Sequence, residues 1–116
     1  MKKLLFPLTL VFGLIGTANA FDGDAEAGKA KFALCAACHG ADGKGSLAHN
    51  LPFGAPNLTD NIWLYGNSTA TVEETLTKGR YGQMPAFKQT LGEDKVHILT
   101  AYVYRLANPE KPATQQ

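Results

Sequence analysis

Apolar residues near the end of the chain recur at the spacing of an α-helix. Four of them follow one another at intervals of three or four residues: Val96, Leu99, Val103 and Leu106. Side chains with this spacing lie on one face of a helix. Gly92 precedes the stretch and Pro109 follows it, and both residue types interrupt helices. The pattern predicts a helix over residues 93–106, with Tyr102 beside its apolar stripe.

A similar periodicity predicts a first helix near the start of the polar part of the chain. Gly28, Phe32 and Cys35 stand at positions i, i+4 and i+7, which share one helical face. Asp22 or Asp24 is placed to cap the N-terminus of this helix. Phe32 is expected to contact Tyr102 and so to join the first helix to the last. We expect one continuous helix here.

A further helix is expected between long loops. Ser68 or Thr71 can cap its start, and Gly79 can end it. Residues 40–54 are rich in Gly, Asp and Asn and predict a loop. No segment alternates between apolar and polar residues with a period of two, so no strand is predicted. The predicted fold class is all-α, with three or more helices joined by long loops.

The N-terminus has the pattern of an export signal. Two lysines precede an apolar run over residues 4–15, and a small-x-small cleavage site ends at Ala20. We therefore expect a cleaved signal peptide over residues 1–20 and a single domain over residues 21–116, located in the periplasm of a Gram-negative bacterium. An uncleaved N-terminal anchor is the alternative. No other stretch has the length of a membrane span, so none is expected after cleavage.

Charge and size restrict the possible functions. The chain has 11 basic and 10 acidic residues, and two of the basic residues belong to the predicted signal. The mature polypeptide is therefore nearly neutral, which argues against a nucleic-acid partner. A domain this small buries only roughly 60–65% of its unfolded surface, so a bound cofactor would add needed apolar contacts.

Cys35-Ala36-Ala37-Cys38-His39 carries the candidate chemistry. C-x-x-C-H is the attachment motif of c-type haem. Two thiols three residues apart lie on the same side of a helical turn, so both can form thioether bonds to one porphyrin edge. His39 follows directly and can bind the iron as the proximal ligand. The motif predicts one covalently attached haem c and its iron as cofactors.

Other uses of a C-x-x-C pair fit less well. A zinc site needs two further ligands, and the chain contains no third cysteine. A thioredoxin-like pair belongs to a βαβ unit, which the pattern does not contain.

The chain resembles the class I cytochrome c family. The resemblance rests on the early haem motif, the Gly28-x-x-x-Phe32 spacing before it, Met84-Pro85 late in the chain, and a C-terminal helix that carries an aromatic residue. It implies a class I cytochrome c fold wrapped around one haem.

Four segments are similar to the haem domains of the cytochrome c subunit III of cbb3-type oxidases. They are Gly54-Ala55-Pro56-Asn57-Leu58-Thr59-Asp60, Trp63-Leu64-Tyr65-Gly66, Gly79-Arg80-Tyr81-Gly82-Gln83-Met84-Pro85-Ala86-Phe87 and Ala101-Tyr102-Val103-Tyr104. This chain has one haem motif, whereas that subunit has two.

Met84 is the predicted distal ligand of the iron. It is the only methionine besides Met1, and it lies in a predicted loop that Pro85 can stiffen. Histidine–methionine ligation suits electron transfer because it raises the haem potential. His49 and His97 are the alternative ligands.

Other loop residues are predicted to surround the haem. The resemblance implies that the Pro56 carbonyl accepts a hydrogen bond from His39, which would fix the tautomer of the ligand. Trp63, Arg80 and Gln83 lie in loops expected near the haem edge, and Trp63 and Arg80 can donate hydrogen bonds to its propionates.

The motif and the resemblance together predict an electron carrier, not an enzyme. We expect a soluble periplasmic monohaem cytochrome that transfers single electrons in a respiratory chain, to or from a terminal oxidase. Its expected partners are redox proteins such as a cbb3-type oxidase or a quinol:cytochrome c reductase. The alternatives are a haem-bearing subunit of a membrane respiratory complex and a haem peroxidase or gas-binding protein with an open iron position.

Overall fold

The computed structural model describes residues 22–110, which form five α-helices and one short 3₁₀ turn. The helices are α1 (Ala25–Lys29), α2 (Ala33–His39), α3 (Thr69–Lys78), α4 (Lys88–Leu91) and α5 (Glu93–Ala107), and the 3₁₀ turn is Leu47–His49. Within this range the only β-type pairing is one isolated bridge between Arg80 and Met84. The predicted all-α class is confirmed, whereas the predicted signal peptide lies outside the described residues.

The prediction of one continuous first helix is wrong. Asp24 does cap α1, because its carboxylate accepts hydrogen bonds from the backbone N–H groups of Glu26 (2.9 Å) and Ala27 (3.2 Å). The chain then tightens into a turn over residues 30–32 before α2 begins. In this turn the N–H of Lys31 donates to the carbonyl of Gly28, three residues back. Gly28 before the break and Cys35 after it are both buried, so the apolar spacing of the sequence continues across it.

The packing of α1 and the turn after it against α5 organises the core. A Cβ atom at Gly28 would lie 1.9 Å from the Ile98 carbonyl oxygen, so only glycine allows the two backbones to approach this closely. Next to this contact, the rings of Phe32 and Tyr102 meet edge to face, with centroids 5.2 Å apart. The predicted contact between the first and last helices is confirmed.

The two longer helices follow their predicted bounds closely. Ser68 caps α3 by accepting a hydrogen bond from the Thr71 N–H at 3.1 Å, and Gly79 ends it with a φ of 71°. Val96, Leu99 and Val103 of α5 are buried, as the apolar stripe predicts. The four-residue helix α4 was not predicted, since it is too short to show a periodicity. Among the helices of residues 22–110, none is both long and apolar enough to cross a membrane.

His97 ties three distant parts of the fold together. Its Nδ1 lies 3.0 Å from a carboxylate oxygen of Glu73 on α3, and its Nε2 lies 2.6 Å from one of Asp22 before α1. Partial burial alone would lower the pKa of His97, but the two carboxylates outweigh that effect and raise the pKa above its ordinary value of 6.5. His97 is therefore charged more readily in the folded chain than in the unfolded chain.

This arrangement gives the fold a pH-dependent stability. A group whose pKa is raised on folding stabilises the fold fully below its ordinary pKa, and the effect is lost as the pH rises through its folded pKa. We expect urea denaturation of the holoprotein to show stability falling as the pH rises above the ordinary pKa of histidine, and His97→Gln to flatten that fall. Lys95→Gln on the same helix is the control. Equal pH dependence in wild type and His97→Gln would contradict the assignment.

Candidate functional site

The residues of the C-x-x-C-H motif lie at the C-terminal half of α2. Cys35 belongs to the hydrophobic core, together with Phe32 and other buried side chains. Cys38 is half-buried one turn later, and both thiols are free. Burial, with a smaller effect of the neighbouring Cys38, raises the pKa of Cys35 to about 11. The folded chain thus presents two thiols on one side of a helix that ends at His39.

His39 is held in one tautomer by the loop that follows the motif. Its ring is 8% exposed, and its Nδ1 lies 2.8 Å from the Pro56 carbonyl oxygen. A carbonyl can only accept, so Nδ1 carries the proton and Nε2 carries the lone pair. Burial lowers the pKa of His39, and the hydrogen bond to Pro56 offsets this only in part. His39 is therefore neutral at pH 7, which is the form in which imidazole binds a metal.

Two glycines let the Pro56 loop approach the motif. The N–H of Gly45 donates to the His39 carbonyl at 2.8 Å, and a Cβ at Gly45 would lie 2.8 Å from the backbone nitrogen of Asn57. The carbonyl of Gly43 accepts from the N–H of Leu58 at 2.7 Å. These contacts run along the loop on both sides of Pro56. They place its carbonyl where the His39 ring can reach it.

Met84 is held at the end of a small hairpin. The backbone groups of Arg80 and Met84 exchange two hydrogen bonds, of 3.0 and 3.2 Å. A Cβ at Gly79 would lie 2.2 Å from the Met84 carbonyl oxygen, so Gly79 cannot carry a side chain. Within the turn, Tyr81 has a φ of 49°, a left-handed conformation that is uncommon for a bulky residue. The turn thus fixes where the Met84 backbone lies.

The predicted haem-environment residues occupy the loops around α3. The guanidinium of Arg80 lies 4.0 Å from the centroid of the Tyr65 ring, and its Nε donates to the Thr75 hydroxyl at 3.0 Å. The indole N–H of Trp63 donates to the Asp60 carbonyl at 2.8 Å, so this donor is already used within the protein. Gln83 is exposed in the turn before Met84. Contacts of these residues with a propionate stay a prediction.

The structure brings some predicted residues together and places others apart. Trp63 and Met84 both pack against the core cluster that contains Cys35. His49, one alternative ligand, is directed at Asp42 within its own loop, with Nε2 2.7 Å from the carboxylate oxygen. His97, the other, lies between two carboxylates as described above. Of the three candidates for the distal position, Met84 packs against the core cluster that contains Cys35, whereas both histidines are engaged by carboxylates.

These residues fit a c-type haem by their chemistry. Two free thiols one turn apart can attach the porphyrin, and a neutral histidine that is oriented by a backbone carbonyl can ligate its iron. A thioether on a constrained loop is the usual second ligand where a haem transfers electrons.

A comparison with known families agrees with this arrangement. Residues 23–103 match the family described as cytochrome c oxidase, cbb3-type, subunit III. The chain belongs to this family. The resemblance noted in the sequence is thereby confirmed, and covalently bound haem c with its iron is the cofactor of the cytochrome c domain.

Two curated relatives illustrate the similarity. The chain is 43% identical over 91 residues to the cbb3-type cytochrome c oxidase subunit CcoP of Rubrivivax gelatinosus, covering 78% of this chain and 29% of that protein. It is 50% identical over 76 residues to the subunit CcoP of Cereibacter sphaeroides, covering 66% of this chain and 25% of that protein. The chain therefore spans less than a third of the length of these relatives.

A solved structure supports the fold. Cytochrome c6 from the diatom Phaeodactylum tricornutum matches with a TM-score of 0.58 and 29% identity, over 75% of this chain and 98% of that one. The predicted class I cytochrome c fold is confirmed by this similarity. The chain therefore belongs to the cbb3 subunit III family and has the cytochrome c fold.

Proposed function

We propose that this chain is an exported, soluble monohaem cytochrome that carries single electrons to a terminal oxidase. The observation that carries the proposal is the ligand arrangement. His39 is neutral and oriented by Pro56 at 2.8 Å, and Met84 is held by a hairpin against the same core. If both side chains bind the iron, no position is left for a substrate. The bound haem c supplies a one-electron Fe(II)/Fe(III) couple.

The protein's own residues keep that couple reversible. Pro56 prevents the His39 ring from turning, and the Arg80–Met84 pairing limits how far the thioether can move. Ligands that stay in place in both oxidation states reduce the rearrangement that accompanies electron transfer. The near-neutral charge of the mature chain predicts weak steering by charge, so docking should depend only modestly on salt.

The test is oxidation of the reduced protein by membranes that contain a cbb3-type oxidase. We expect stopped-flow oxidation to be clearly faster with these membranes than with membranes from a strain that lacks the oxidase. The rate should rise with oxidase concentration without tight binding, because electron-transfer partners form small, transient interfaces. A rate that is equal in both membranes, together with turnover of peroxide by the purified protein, would favour a peroxidase instead.

A second candidate function is that of a haem-bearing part of a membrane respiratory complex. It is favoured by the names of the relatives, which are oxidase subunits. Cell fractionation separates the two candidates. The carrier should be released with the periplasm and begin at Phe21, the residue after the predicted cleavage site. A chain that keeps its N-terminal lysines and sediments with membranes would favour the subunit.

A further inference from the structure

Ser46 is a buried polar residue to which the sequence gives no role. It is 2% exposed, and its hydroxyl makes two hydrogen bonds. The hydroxyl donates to the Cys38 carbonyl at 2.8 Å and accepts from the backbone N–H of Ala55 at 2.8 Å. Its own backbone N–H donates to the Ala55 carbonyl at 2.9 Å. The side chain thus joins the last turn of α2 to the loop that begins at residue 54.

The hydrogen bonds of Ser46 connect residues next to those that the hydrogen bond of His39 connects. Cys38 is covalently adjacent to His39, and Ala55 is adjacent to Pro56. The imidazole–carbonyl bond and the Ser46 hydroxyl therefore connect the same two backbone segments. Together they close a ring of covalent and hydrogen bonds that contains both the His39 imidazole and the Ser46 hydroxyl.

We propose that Ser46 is a positioning residue for the proximal histidine. By holding residues 55–56 against the end of α2, it keeps the Pro56 carbonyl in line with Nδ1 of His39. It does so without touching the imidazole itself. The inference rests on the proposed role of His39 as the proximal iron ligand, and it adds a residue that tunes that ligand.

Removal of the hydroxyl would act through the backbone. Ser46→Ala keeps the volume of the side chain nearly unchanged, but it leaves the Cys38 carbonyl and the Ala55 N–H without this partner in a buried place, which is unfavourable. The loop can then relax away from α2, and the bond from Nδ1 to Pro56 lengthens. A weaker bond makes the imidazole a poorer electron donor, so Fe(III) is less stabilised and the midpoint potential rises.

The experiment compares Ser46→Ala with Thr100→Val in the holoprotein. Thr100 is also fully buried, and its hydroxyl donates to the Val96 carbonyl at 2.8 Å within α5, away from the motif. Both variants lose one buried hydroxyl at nearly constant volume. For Ser46→Ala we expect about tenfold faster exchange of the His39 ring proton by NMR, the size of one lost hydrogen bond, and a higher midpoint potential. Thr100→Val should lower thermal stability alone.

Two results would overturn the proposal. The first is that Ser46→Ala has the same ring-proton exchange rate and midpoint potential as the wild type. The second is that Thr100→Val changes both quantities as much as Ser46→Ala does, because the effect would then come from a general loss of stability. If Ser46→Ala does not accumulate as holoprotein, hydrogen exchange in the wild-type protein tests the proposal instead. Relative to the intrinsic rates of imidazole and amide groups, the His39 ring proton and the Ala55 N–H should then have similar protection factors, because they open together. A ring-proton protection factor about tenfold smaller than that of the Ala55 N–H would refute the coupling.

These readouts need no electron-transfer partner. If oxidase-containing membranes fail to oxidise the protein while the exchange and potential results hold, the carrier function is wrong and the role of Ser46 stands. If the membranes oxidise the protein but Ser46→Ala shows wild-type exchange and potential, the carrier function stands and the proposed role of Ser46 is wrong.

Discussion

Met84→His is expected to produce the largest change in redox properties. The weak red-region absorption band of methionine–iron ligation in the ferric protein should disappear. The midpoint potential should fall on the order of hundreds of millivolts, since axial ligands set haem potentials over roughly 0.8 V. The physical reason is that a second imidazole stabilises Fe(III) better than a thioether does. Visible spectroscopy and redox titration of the purified protein measure both effects.

The structure adds a second variant to this test. Gly79→Ala should also lose the methionine band, because a Cβ at Gly79 would lie 2.2 Å from the Met84 carbonyl oxygen and would displace the hairpin. Gln89→Ala on the exposed side of α4 is the control, with unchanged spectrum and potential. If the wild-type protein lacks the methionine band and Met84→Ala leaves its spectrum and potential unchanged, then His49 or His97 is the distal ligand and the assignment of Met84 is wrong.

Cys35→Ser is expected to abolish most of the holoprotein, with a larger loss than Cys38→Ser. Each variant loses one thioether bond. Cys35 is also a member of the hydrophobic core, so its replacement buries a hydroxyl there, at a cost of about 1–3 kcal/mol. Cys38 is only half-buried, so Cys38→Ser should lose the covalent bond with little further damage to the core.

Intact mass and acid-acetone extraction measure this prediction. The wild-type chain should carry the mass of one haem and keep it through extraction. A variant that combines Cys35→Ser with Cys38→Ser should release any bound haem into the organic phase. Ala33→Ser, which adds a hydroxyl at an exposed position of the same helix, is the control and should behave as the wild type. Extraction of haem from the wild-type protein would contradict covalent attachment. Equal yields from the two single variants would contradict the asymmetry.

Much of the helical framework was predictable because it depends on local patterns. The stripe of α5 and the Ser68 cap of α3 are visible within a few residues of sequence, and the structure places both where expected. The break between α1 and α2 was missed because Gly28 before it and Cys35 after it are both buried, so the apolar spacing of the sequence shows no interruption there.

The candidate site was predictable only in part for a related reason. The C-x-x-C-H motif is contiguous, so the sequence alone locates it, and the Pro56 contact followed from a family resemblance. Ser46 has no such pattern, because its partners lie eight and nine residues away, one in the last turn of α2 and the other in the loop that begins at residue 54. The two carboxylates that hold His97 are 24 and 75 residues away, and no local rule connects them.

The close packing of α1 against α5 also determines how this domain can be linked to others. Glu26 near the start of α1 forms an ion pair of 2.6 Å with Arg105 near the end of α5, so the chain enters and leaves the fold at neighbouring points. Domains with adjacent ends tolerate insertion into longer polypeptides, tandem duplication and circular permutation, because a linker can join the ends without crossing the core. The same fold can therefore serve as a free-standing unit or as one module in a multidomain chain, with its cofactor-binding residues unchanged.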